Sequence, residues 1–106
     1  MIKEKRHYLL VECTKSINAN AGRDFGSALQ DELLRCIGEI DYHVVNPKYE
    51  RSEGSSRFII SGTVEGMSKL IVALAMIKKV NGIGMAMFTL KRSGTVTGLM
   101  SGAPES

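Results

Sequence analysis

The hexapeptide Ser61-Gly62-Thr63-Val64-Glu65-Gly66 returns almost unchanged as Ser93-Gly94-Thr95-Val96-Thr97-Gly98. Each copy follows an apolar run, Ile59-Ile60 in one case and Met85-Ala86-Met87-Phe88 in the other. A strand that runs into hydroxyl side chains and glycine must stop and turn, so this chain uses one turn chemistry twice. The second copy alone is preceded by the pair Lys91-Arg92. Two cations beside a small, donor-rich backbone suit a phosphodiester chain.

Around these two turns the periodicity predicts an alternating order of elements. Residues 7–13 read as a strand with His7, Leu9, Val11 and Cys13 on one face and Tyr8, Leu10 and Glu12 on the other. Residues 16–23 read as a loop, and Asp24 as the cap of a helix over 25–40 whose apolar face is Phe25, Leu29, Leu33, Ile37 and Ile40. A weaker strand over 42–49 contains Pro47, which cannot donate to a ladder and marks an edge. A polar turn around Gly54 joins it to a strand over 57–61. Thr63 then caps a second helix running to Val80, where Asn81-Gly82 ends it. A last strand spans 83–91. The order β-α-β-β-α-β predicts an α+β fold of the ferredoxin-like, RNA-recognition-motif-like type, with both helices on one face of an antiparallel sheet. One domain is expected over 1–97, followed by a flexible tail over 98–106.

Charge is distributed unevenly along the chain. The overall balance is only +3, but residues 66–106 carry five Lys/Arg against the single acid Glu105. The first 65 residues carry nine basic and ten acidic side chains. Lys3, Lys5 and Arg6 cluster at the N-terminus, and they merge with Lys91-Arg92 if the first and last strands are neighbours. The charged opening resembles no secretory leader. With the isolated Cys13 and Cys36 it predicts reduced thiols in a cytoplasmic protein that spans no membrane.

No catalytic constellation is visible. His7 and His43 have no metal-ligand spacing, Ser93 is not in a nucleophile elbow, and Gly82-Ile83-Gly84 lacks the rest of a nucleotide loop. The third strand, Arg57-Phe58-Ile59-Ile60-Ser61, lacks the aromatic signature of single-strand RNA readers. What remains is backbone recognition, by Lys3, Lys5, Arg6, Lys91 and Arg92 as phosphate-neutralising cations and by Ser93, Gly94 and Thr95 as hydrogen-bonding backbone and hydroxyls. The sheet face without helices is expected to hold Tyr8, Leu10, Ile59, Met85 and Met87. That is too apolar for bare solvent and so marks a partner interface.

Three segments together resemble the small protein subunit of archaeal and eukaryotic ribonuclease P: the opening Lys5-Arg6-His7-Tyr8-Leu9-Leu10-Val11-Glu12, the helical Ala73-Leu74-Ala75-Met76-Ile77, and the closing Ser93-Gly94-Thr95-Val96. One departure is Ser61, which stands where the family pattern places an arginine after the paired isoleucines. The resemblance implies a chain without an active site of its own. In that family the RNA cleaves the 5′ leader from precursor tRNA using Mg2+. The protein binds no cofactor, pairs with a larger α/β-barrel-like subunit, in one stoichiometry as a heterotetramer, and supports the ribonuclease P RNA. Two other classes compete with this reading. One is a regulatory ferredoxin-like domain whose repeated turns hold a small anion. The other is a small hydrolase of the acylphosphatase type, which needs a phosphate-gripping loop after the first strand.

Overall fold

The computed structural model describes residues 5–15, 25–80, 82–96 and 98. Nine elements follow one another: β1 (Arg6–Cys13), α1 (Phe25–Ile37), α2 (Glu39–Val45), β2 (Lys48–Glu53), β3 (Arg57–Thr63), α3 (Met67–Met76), β4 (Lys79–Val80), β5 (Ile83–Gly84) and β6 (Met87–Ser93). Four strands form one antiparallel sheet in the order β2-β3-β1-β6, and β4 and β5 make a separate hairpin. The fold is α+β and ferredoxin-like, as the sequence predicts.

One face of the sheet builds the core. Leu9, Val11 and Cys13 of β1, Phe58 and Ile60 of β3 and Met87 of β6 are buried there. Helical Leu29, Leu33, Leu70 and Leu74 pack over them, with Val45 from α2. An aromatic trio closes one corner: Phe25, Tyr49 and Phe58 have ring centroids 5.5–5.8 Å apart in tilted and edge-on arrangements.

The predicted helix over 25–40 is two helices. Gly38 adopts φ +91, a left-handed value that favours glycine, and the chain restarts as α2. The strand expected over 42–49 is therefore corrected: Tyr42 to Val45 are helical, and the strand begins only at Lys48. Asn46 ends α2 at φ 47, donating its N–H to Tyr42 O, and Pro47 prevents continuation. Gln30 holds this junction, donating to Tyr42 Oη at 3.1 Å and to Pro47 O at 3.0 Å.

The second predicted helix is shorter than its apolar run suggests. It starts at Met67, with Gly66 as N-cap, and stops at Met76. Thr63 lies on β3, where its hydroxyl donates to Val44 O at 2.7 Å and accepts the Gly66 N–H at 3.1 Å. Gly82, at φ +84, falls in the turn of the β4–β5 hairpin rather than at a helix end, and Asn81 lies outside the described residues.

The two edges of the sheet differ. β2 reads Lys-Tyr-Glu-Arg-Ser-Glu, and Lys48, Glu50 and Arg51 are exposed. At the other edge β6 exposes Phe88 and Leu90. Loop 16–23, the Asp24 cap, Lys3 and residues 99–106 lie outside the described residues.

Candidate partner and RNA-backbone interface

Strand pairing fixes which side chains share the helix-free face, because residues directly opposite in an antiparallel pair point the same way. Leu10 faces Ile59 and Tyr8 faces Ser61 on β3, while Glu12 faces Phe88 on β6. Tyr8 and Leu10 therefore stand on the open face as expected, both half-buried. Ile59 is on that face too but has 0% exposure, so it forms the floor rather than a contact surface. Met85 and Met87 are corrected. They are 5% and 4% exposed and belong to the core, because Met87 pairs with Cys13 on the inward side. The apolar side chains that β6 presents outward are Phe88 and Leu90, 55% and 46% exposed.

A β-bulge decides where the two cations go. The β1–β6 register passes from Val11↔Thr89 to Leu10↔Lys91, leaving Leu90 as the extra residue. Without it, Lys91 would point to the helix side and Arg92 to the open face. With it, Lys91 shares the open face with Leu10, and Arg92 pairs with Leu9 on the other side. There Arg92 Nε donates to His7 Nδ1 at 2.9 Å, which requires an unprotonated nitrogen. Lys91 and Arg92 thus work from opposite faces of one strand end.

Arg6 is adjacent in space, since β1 and β6 are antiparallel neighbours, but it leans towards β3. Its Nη2 donates to Asn46 O at 2.7 Å and to Ser61 Oγ at 2.9 Å. Ser61, a fully buried polar residue, donates onward to Glu50 Oε2 at 2.7 Å. The departure noted at Ser61 thereby acquires a physical meaning. The guanidinium over that position comes from the neighbouring strand and is tied into the fold. Lys5 is exposed, with its carbonyl accepting the Val64 N–H at 3.1 Å.

The two hexapeptides meet across β1. Ser61 and Ser93 both pair with Tyr8, one on each side. In each copy the threonine hydroxyl accepts an N–H from the glycine three residues on: Thr63 from Gly66 at 3.1 Å and Thr95 from Gly98 at 2.9 Å. Ser93 Oγ in turn accepts the Thr95 N–H at 3.2 Å. The final glycines sit at close approaches, against backbone at Gly66 and against a serine hydroxyl at Gly98. A Cβ at Gly66 would come within 2.7 Å of Val45 Cα, and one at Gly98 would overlap Ser93 Oγ. These hydroxyls organise their own turns, and Gly94, beside the His7 ring, leaves the main chain exposed next to Arg92.

The small-anion alternative finds little support elsewhere. The groove of about 300 Å³ between the helices is lined by Cys36, Ile37, Val72, Ala73 and Met76, and its one cation, Lys69, lies 3.7 Å from Asp41. Cys13 is buried, and its thiol is pushed up to about 11 by burial and then by the neighbouring Glu12 carboxylate. Among the described residues no three metal-ligating side chains cluster, and no helix is long and apolar enough to cross a membrane.

A search among curated proteins returns no match. The sequence model of the Rpp14/Pop5 family matches residues 7–102, from His7 in β1 through both hexapeptides. The chain belongs to the Rpp14/Pop5 family, whose members are ribonuclease P protein subunits.

Proposed function

We propose that this chain is a non-catalytic subunit of ribonuclease P that binds the catalytic RNA together with a larger protein subunit and supports removal of the 5′ leader from precursor tRNA. The family match over 7–102 carries this reading. The geometry supports a division of labour within it. The apolar open face of Tyr8, Leu10, Phe88 and Leu90 would seat the α/β-barrel-like partner, with Ile59 beneath. The strand end with Lys5, Lys91, Arg92, Ser93, Gly94 and Thr95 would meet RNA phosphates, joined by Lys3. Arg6 would act from within the fold, holding β1 to β3. Magnesium in this reading belongs to the RNA of a cytoplasmic, archaeal-type ribonucleoprotein.

The decisive experiment is precursor-tRNA cleavage by the matching ribonuclease P RNA at limiting magnesium. It compares this chain alone, the larger subunit alone, and the pair. Rescue by the pair and by neither protein singly supports the reading. Failure of a verified, folded pair to rescue cleavage removes it and returns the small-ligand reading to the front.

A further inference from the structure

Between Glu65 and Glu105 the sequence contains no acidic residue, yet it carries Lys69, Lys78, Lys79, Lys91 and Arg92. The structure places Lys78 and Lys79 on the β4–β5 hairpin, held by the pairs Lys79↔Gly84 and Val80↔Ile83. The hairpin has a fixed root. Ile77, Val80 and Met85 are buried in the core, and Met85 N donates to Lys78 O at 2.9 Å. Its outer part is open: Lys78, Lys79, Gly82 and Gly84 are exposed, and a Cβ at Gly82 would meet nothing within 4 Å.

Four other cations of the fold are matched by carboxylates. Arg35 lies 3.5 Å from Glu32, Arg57 lies 3.9 Å from Glu12, Lys69 is paired with Asp41, and Arg51 with Glu53. Among the described residues Lys78 and Lys79 have no carboxylate partner. Placement separates them from ordinary solvated lysines. The hairpin feeds into Met87 at one end of β6, and Arg92 stands at the other. Seven residues of strand separate the two positive ends by roughly 20 Å. Cations at both ends of an acid-free segment match a polyanion with charges repeated along its length.

We propose that the β4–β5 hairpin is a contact for the RNA backbone. Lys78 and Lys79 neutralise phosphates, and Gly82 and Gly84 let the sugar-phosphate chain come close. This deepens the ribonuclease P reading and rests on it.

The test is the salt dependence of binding to the matching ribonuclease P RNA, using the full chain assembled with its partner subunit. Wild type is compared with the K78Q/K79Q double variant and with R92Q. Each phosphate contact contributes about 0.7–0.9 to the logarithmic slope, so the double variant is expected to be shallower by about 1.4–1.8 with an unchanged melting temperature. Combining it with R92Q should add the losses, because the two ends are far apart. An unchanged slope in K78Q/K79Q, with wild type still salt-dependent, overturns the hairpin contact and leaves the subunit reading standing. A wild-type complex with no salt-dependent RNA binding overturns both. Loss of protein–protein assembly in K78Q/K79Q without RNA present would make the hairpin a protein contact, which also overturns the inference.

Discussion

Replacing Phe88 tests the open face directly, because the ring is divided between the fold and the surface. A phenylalanine offers roughly 200 Å² of accessible surface, so at 55% exposure about 110 Å² is left for a partner to bury. At about 25 cal/mol per Å² that area is worth about 2.8 kcal/mol. Alanine retains the β-carbon, so Phe88→Ala should weaken partner binding by about 2 kcal/mol, about thirtyfold in Kd. The half of the ring already packed against the sheet also contributes to folding, so a second variant is needed. Phe88→Lys keeps an aliphatic stem over the same surface and lifts an ammonium into the interface. It should leave the denaturant midpoint near that of wild type while eliminating measurable complex. Titration calorimetry with the larger subunit, beside a urea melt of each variant, separates the two effects. Wild-type affinity in a normally folded Phe88→Lys protein would refute the assignment of this face to the partner.

Other substitutions probe the remaining links. Phe58→Ala, at the centre of the aromatic trio with 0% exposure, should cost about 3–5 kcal/mol in a urea melt, unlike the outward Phe88. Met87→Asp should unfold the chain outright rather than merely prevent assembly, and a cooperative melt near the wild-type midpoint would contradict its placement in the core. Arg6→Ala should destabilise by about 1–3 kcal/mol by stripping a donor from Ser61 Oγ and Asn46 O. A lowered RNA salt slope at unchanged stability would instead make Arg6 a phosphate contact. Because the folded Cys13 thiol is raised from 9.0 to about 11, the folded state holds its proton more tightly than the unfolded chain does. Its contribution is therefore complete below pH 9 and is lost as pH climbs towards 11. Across that window wild type should lose stability relative to Cys13→Ala, and parallel curves would contradict the burial of the thiol.

How much of this was readable from the sequence depended on contrast between neighbouring residues. Along β1, Tyr8 and Glu12 mark the outward positions around Leu10, so its inward face of Leu9, Val11 and Cys13 was legible. Along 85–90 nearly every residue is apolar, so a period of two has no phase, and only the pairing Cys13↔Met87 turns Phe88 outward. The bulge at Leu90, which sends Lys91 and Arg92 to opposite faces, leaves no trace in composition. Tyr42, Val44 and Val45 have strand propensity, but the break at Gly38, the left-handed Asn46 and the bond from Gln30 to Tyr42 make them helical. The lysines at 78 and 79 looked like the cationic end of a helix, and Asn-Gly serves both as helix stop and hairpin turn. The repeated hexapeptide was plain to see. Its meaning, two serines in register on either side of Tyr8, required the strand order.

The unequal margins of the sheet bear on what a surplus copy of this chain does in solution. The β2 margin is guarded by charge, while among the described residues no strand pairs with the outer side of β6, beside Phe88 and Leu90. Strand addition can therefore proceed from one side only. Two copies meeting through β6 would turn both remaining margins outward as the guarded kind, so growth halts at a pair and no fibre follows. Sedimentation of the lone chain reads this limit, and a ladder of species beyond the pair would contradict it. The guard at β2 thus converts an open-ended hazard into a finite one.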